Sequence, residues 1–365
     1  MINVQFFPSK RIAFYMARLF LVRTLAVLAA LVLILMTLDL LGESGKILAP
    51  PQNGDSELWR YVSLRIPMLI ARFLPFAVLL GTLITLAALN QHSEVISMKA
   101  AGISAHQIIA PLIVASFAIA AISFAFNERV VTRATAALAA WEAVDYGQVP
   151  PQSGVSSNVW VRRGEDLVHA RQVSGRGEGI VLGGLTVYRR AAGTLERIVS
   201  AESARRVDGA WELSNASLFD VDAVAATQAA VYRLDVDIEP EQFTLARVDP
   251  DEQDFRRLGE SIEDLRAAGR PTAALEANLW HKISGPLSSV LMPLLGAIAA
   301  FGLARSGQLF MRAVAGMGLG FAYFVADNFA IAMGNYGAYP PLLAAWGPFA
   351  LFLLIGETVL IRTEE

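Results

Sequence analysis

The sequence predicts a polytopic α-helical membrane protein with six transmembrane helices, three on either side of an inserted, exported all-β domain of sandwich or jelly-roll-like type. Three observations carry that prediction. Of 365 residues, 55% are hydrophobic and only 17% charged, with a mean hydropathy of +0.47, too apolar for an ordinary soluble chain. Six apolar runs stand out: Leu19 to Leu41, Leu64 to Leu89, Ile108 to Phe126, Leu279 to Leu303, Leu309 to Met333 and Leu342 to Ile361. Each is close to or above the roughly 20 helical residues that cross a bilayer. Between the third and fourth lies a hydrophilic insertion, 127–277, with 24 acidic residues against 17 arginines and no lysine.

Taken in order, Lys10, Arg11, Arg18 and Arg23 precede the Thr24 to Leu41 part of the first run, which carries no charge before Asp39, and superficially resemble the start of a signal peptide. The run is too long and is followed by further spans, so it reads as an uncleaved first helix. Basic residues in short connections set orientation. Lys10, Arg11 and Arg18, then Lys99, Arg305, Arg312 and Arg362, all fall on one side if the spans alternate. Both termini and the Asn90 to His106 bridge are then cytoplasmic, and the insertion is exported. That bridge, NQHSEVISMKAAGISAH, reads as a short amphipathic helix. Val95, Met98 and Gly102 fall on one face, with Ser93, Glu94 and Ser97 around the other, a shape suited to a groove on another protein. Glu94 can pair with an arginine of such a partner, or stand as a solvated loop acid.

Within the insertion, NVWVRR, DLVHARQV, GGLTVYRR, ERIVSAESARRV, GAWELSNASLF and AAVYRLDVDI alternate and are split by Gly, Ser and Asp, the pattern of short antiparallel strands. A helical stretch, about Asp254 to Ala268, leads back to the membrane. The domain divisions expected are therefore 1–126, 127–277 and 278–365. There is no cysteine, which excludes disulfides and thiol chemistry.

Ionisable residues inside spans are functional candidates by default. At 1.5 Å per residue, Arg72 lies about 12 Å from the outer end of span 2 and Asp327 about 10 Å from that of span 5. A buried Arg72–Asp327 pair would satisfy both, the alternative being two side chains that snorkel separately. Asp39, Lys46 and Arg65 sit near the outer interface, where the cations can grip phosphates of an amphiphile or serve as interfacial anchors. Gly316 and Gly320 form GxxxG in AGMGLGF, which allows close helix contact or leaves a smooth surface for lipid. LLGESGKIL is not a phosphate-binding loop, because Leu40 stands where its first Gly should be and Ile47 where Ser or Thr should be. The four histidines lack ligand spacing and no GxSxG or HExxH occurs, so neither a metal nor a catalytic set is expected.

FLPFAVLLGTLITLAALNQHSEVISMKAAGIS, NLWHKISGPLSSVLMPLLGAIAAFG and RAVAGMGLGFAYFVADNFAIAMGNYGAYPPLLAAWGPF, with the strand run NVWVRRGEDLVHARQV and GGLTVYRR, resemble the lipopolysaccharide-export permease family, its G-type subunit more than its F-type. The resemblance implies a multi-pass protein of the bacterial inner membrane that is not itself an enzyme. It implies a half-transporter pairing with an F-type permease (LptF) on a cytoplasmic ATPase dimer (LptB), which binds the ATP and magnesium, while no cofactor is expected in this chain. Lipopolysaccharide would enter a cavity gated by spans 1 and 5 of opposite subunits and pass through a periplasmic jelly roll to bridge proteins (LptC, LptA). Glu94 matches the acid facing the ATPase. The sequence departs from the G-type pattern at the outer end of span 1, where Met36, Gly42 and Glu43 replace basic residues, although Asp39 matches. Lys46, Arg65 and Arg72 are then expected to take over the lipid phosphates. An alternative function is a permease-like subunit that transmits force or signal to the periplasm. Such assemblies place the large domain after span 1 of four, and here it follows span 3.

Overall fold

The computed structural model describes residues 9–147, 156–163, 165–174, 179–191, 194–207, 209–221, 223–234, 243, 248–267, 269–297 and 309–362. The chain separates into two compact units: Met1–Ala140 with Pro250–Glu365, and Trp141–Asp249. The β unit is thus shorter at both ends than the expected 127–277.

Among the described residues, the first unit contains α1 (Lys10–Ile47), α2 (Asp55–Gln91), the short α3 (Glu94–Ala100), α4 (Ala105–Phe126) and α5 (Thr132–Glu142), whose last two residues lie beyond its boundary. It resumes with α6 (Phe255–Ala267), α7 (Ala273–Ala297), α8 (Leu309–Asn335) and α9 (Pro341–Arg362). Five of its helical segments are long and apolar enough to span a membrane among the described residues. The expected fourth span runs past α7 into residues 298–303, which lie outside them. Span 3 does not stop at Phe126. A π-helical turn, Asn127–Val131, joins α4 to α5, and the alanine-rich TRATAALAAWE sustains the helix after the apolar run ends.

α1 meets its neighbours along a stripe four residues apart, Met16, Phe20, Thr24, Leu28, Val32 and Met36, all buried. Leu25, Leu33 and Leu38 on its other faces are exposed. α2 is central, with a long buried run from Leu74 to Leu89. Small residues let the helices close on it, as they do where no hydrophobic effect drives association. A Cβ on Gly81 would fall within 2.8 Å of the Thr24 Cα on α1, and one on Gly296 of α7 within 2.8 Å of Thr82 Cγ2. The YGAYPP turn has a simple basis. Gly337 takes φ +74, its N–H donates to Gly334 O at 2.9 Å, and Pro341 opens α9, where a missing N–H costs nothing.

The second unit is a six-stranded antiparallel sheet in sequential order, β1 (Ser156–Arg163), β2 (Asp166–Ser174), β3 (Val181–Ala191), β4 (Thr194–Val207), β5 (Ala210–Asp220) and β6 (Ala225–Leu234). It is a meander, and the crossing connections of a jelly roll do not occur among the described strands. Every expected strand is present, although the last runs into residues 235–238, outside the described set. One face forms a core that includes Val168, Leu182, Val187, Leu213 and Trp211, capped by Phe243.

Alternation slips by one along a line across the sheet. Buried positions jump from Ala170 to Val173, Leu182 to Leu185, Ala201 to Ala204 and Leu213 to Ala216. The ladder passes over Arg171, Gly184, Glu202 and Asn215, and Gly184 and Asn215 have φ of +60 and +52. An extra residue in each of these four strands lets the sheet bend while its apolar side chains stay on one side. Asn215 Nδ2 donates to Glu202 Oε2 at 2.8 Å along this line.

Candidate functional site

The bridge between α2 and α4 is built by capping. α3 holds seven residues and ends in two closing bonds, Gly102 N to Lys99 O at 2.9 Å and Ile103 N to Met98 O at 3.1 Å. That is the Schellman arrangement, which places a left-handed residue after the helix, and Gly102 has φ +82. Gly102 is therefore the stop of the helix, and it stands exposed there. Ser104 then opens α4, its Oγ accepting from Gln107 N at 3.2 Å while Gln107 Oε1 accepts from Ser104 N at 3.1 Å, a capping box.

The expected outward apolar face of α3 is in fact turned inward. Val95 is 4% exposed and Met98 half-buried, and it is Ile96 that stands out at 50%. The two flanking helices offer an apolar surface of their own, so the apolar face of α3 covers them. Glu94 opens α3 and accepts from Tyr15 Oη at 3.3 Å, which links the bridge to α1. Ile96, Lys99 and Ala100 remain exposed.

Near the opposite ends of α1 and α2, Asp39 gathers two donors. Arg65 Nε reaches Asp39 Oδ2 at 2.9 Å and Arg65 Nη2 reaches Oδ1 at 3.0 Å, while Tyr61 Oη donates to Oδ2 at 2.7 Å. Lys46 Nζ lies 2.9 Å from Glu43 Oε1, with the lysine side chain 70% exposed. Arg65 is thus occupied within the chain, and Lys46 is the more accessible of these two cations. Beside them, α1 and α2 enclose an apolar groove of about 800 Å³ lined by Leu25, Leu33, Leu41, Trp59, Ile66 and Ile70 among others.

Arg72 does not join Lys46 and Arg65. It lines a separate cavity of about 400 Å³ between α2, α4, α7 and α8. At 100° per residue, its neighbours there, Met68, Ala71 and Pro75, occupy the face of α2 opposite the groove residues Trp59, Ile66 and Ile70. Asp327 lines the same cavity, yet the expected Arg72–Asp327 ion pair is not formed. Asp327 Oδ2 instead lies 3.0 Å from His281 Nε2, because α7 packs beside α8 and presents an imidazole there. His281 was missed in the sequence, where it reads as one of four scattered histidines. The signal available was its place inside an apolar run, next to Lys282.

Gly316 and Gly320 are both buried. A Cβ on Gly320 would collide with the Leu79 side chain of α2, so this part of the glycine stripe serves packing within the chain. Gly318 faces open space.

The family model described as lipopolysaccharide export system permease LptF/LptG matches residues 14–362. The chain is similar to the lipopolysaccharide export system permease protein LptG of Escherichia coli strain K12, 26% identical over 311 residues, covering 83% of this chain and 84% of that protein. It is also similar to the protein of the same name from Haemophilus influenzae, 24% identical over 330 residues, covering 86% and 88%.

Proposed function

The chain belongs to the lipopolysaccharide export system permease family LptF/LptG, and we propose that it works as the G-type subunit, passing force from a cytoplasmic ATPase to a lipopolysaccharide-binding membrane face. It is a multi-pass protein of the bacterial inner membrane. In this reading both termini and the α3 bridge are cytoplasmic, the β unit is periplasmic, an F-type permease completes the transporter, and bridge proteins receive the lipid from the β unit. ATP and magnesium belong to the partner ATPase, and this chain acts without catalysis of its own.

The observation that carries the reading is the bridge. A helix of seven residues, closed at its C-terminus by the Gly102 turn and seated through Val95, is a short lever between two long helices. Its exposed Ile96 and Lys99, with Glu94 at its start, offer a small apolar and charged surface to a partner groove. A push on α3 is transmitted to α1 through the Glu94–Tyr15 bond. At the other end, the α1/α2 groove is the surface suited to acyl chains. Lys46 is the cation placed to meet a lipid phosphate, with Arg65 reserved for Asp39.

Co-purification of the tagged chain with the ATPase, wild type against Glu94→Arg, with bound lipid read by mass spectrometry, tests this. The wild type is expected to bring down the ATPase, the F-type partner and lipopolysaccharide, and the variant to lose the ATPase. An ATPase that binds with no lipopolysaccharide at any stage would favour a force-transmitting role instead. Absence of any ATPase from the wild type would sink the transport reading.

A further inference from the structure

The cavity between α2, α4, α7 and α8 is lined by many polar side chains, most of them on these helices. A buried polar group without a partner is costly. Six titratable side chains line it: Arg72, Asp251, His281, Lys282, Tyr323 and Asp327. Asp251 and Lys282 have partners of their own. His281 takes one oxygen of Asp327. The other oxygen, Oδ1, is buried with no hydrogen-bond partner. Arg72, across the same cavity, is exposed and makes no hydrogen bond or ion pair among the described residues. Pro75 and Pro286 also line the space, and each removes the helical donor for the carbonyl four residues before it.

An exposed guanidinium without a side-chain partner, a buried carboxylate oxygen without a donor and the Tyr323 hydroxyl thus line a single space of about 400 Å³, the lower end of the range for small-molecule sites. A simple anion would answer Arg72 and be repelled by Asp327, and a simple cation the reverse. A ligand that carries both signs answers both. We propose that this cavity binds a phosphoethanolamine group, with the phosphate on the Arg72 guanidinium and the ammonium donating to Asp327 Oδ1. Guanidinium holds phosphate by two parallel bonds, and a primary ammonium has three N–H donors to offer a carboxylate. A trimethylated ammonium has none. The site therefore distinguishes ethanolamine from choline, and both from a headgroup with no cation. The group can come from a bilayer phospholipid or from a soluble phosphoethanolamine. The cavity lies on the opposite face of α2 from the proposed acyl groove, so this site is separate from that of the proposed substrate.

The test reconstitutes the full chain, as the complex it forms, in nanodiscs of phosphatidylglycerol mixed with either phosphatidylethanolamine or phosphatidylcholine. Lipid retained after mild detergent stripping is counted by native mass spectrometry. Wild type is expected to keep one phosphatidylethanolamine per chain and to keep neither of the other lipids. Arg72→Gln and Asp327→Asn are each expected to lose about tenfold in retention, the scale of one charge-assisted hydrogen bond, while Arg72→Lys keeps part of it. Displacement by added O-phosphoethanolamine would show that the headgroup chemistry suffices. Its failure to displace a retained phosphatidylethanolamine would assign the lipid as the source. Equal retention of all three lipids by wild type overturns the proposal, and this comparison needs no variant to fold. Unchanged phosphatidylethanolamine retention in both variants overturns it as well. Lipopolysaccharide crosslinking on the same samples reads the transport function separately: its loss in Arg72→Gln with phosphatidylethanolamine retention intact would make Arg72 a substrate contact instead.

Discussion

Asp39 and Lys46 lie about two helical turns apart near the same end of α1, yet their environments predict different costs of removal. Asp39, about three-quarters buried, accepts three hydrogen bonds from Arg65 and Tyr61. Its replacement by Ala strands a charged donor, and a loss of about 1–3 kcal/mol is expected. Lys46 forms an exposed pair with a residue three positions away, so Lys46→Ala should change stability by less than about 1 kcal/mol. Thermal melts of the purified protein compare the two directly. In the β unit, Trp160 stacks on His169 with ring centroids 4.4 Å apart. Burial, followed by the nearby Arg171, holds the His169 imidazole below its ordinary value, which is about 6.5. The fold therefore binds fewer protons at this site than the unfolded chain does, and the contribution is lost as pH falls from the ordinary imidazole value through the lowered one. The Trp160 emission, taken as wild type minus Trp160→Phe, should change with a midpoint below that of a free imidazole. His169→Gln should abolish the step.

At the scale of elements, the glycines divide by what they touch. Gly81 brings α2 against the α1 backbone at Thr24, whereas Gly320 meets only the flexible end of Leu79. Backbone cannot yield without moving a helix, and a leucine can change rotamer. Gly81→Ala is therefore expected to lower the melting temperature clearly more than Gly320→Ala, and equal effects would contradict this reading of the packing. AGMGLGF signalled close contact, but not that Gly320 would spend its contact inside the chain. The same limit applies to α3. The stop at Gly102 and the Ser104 cap of the following α4 could be read from the sequence as breaks, but whether Val95 faced a partner or the chain itself depended on how α2 and α4 flank it. The strands were legible because alternation is local. The slip across Arg171, Gly184, Glu202 and Asn215 was not, since each strand taken singly shows only one irregular step.

For the whole molecule, orientation is the property that the distribution of lysine and arginine predicts and that labelling can test. With no native cysteine, single substitutions report cleanly. Lys99→Cys should react only with reagents that cross the membrane, and Lys46→Cys with an impermeant reagent added outside. Labelling of both from the same side would overturn the alternation of spans. The sequence alone determined that the chain enters a membrane, where its long helices run, that a strand-rich unit interrupts them, and which family it resembles. Those properties depend on the length of apolar runs and on local periodicity, which neighbouring residues in the chain already contain. The tertiary structure decided which polar groups meet: Asp39 with Arg65 and Tyr61, and Asp327 with His281 in place of Arg72. Matching depth along two helices cannot choose among such partners. The choice depends on how each helix is rotated and which helix lies beside it, and that is set by contacts such as Gly81 on Thr24 between residues far apart in the chain.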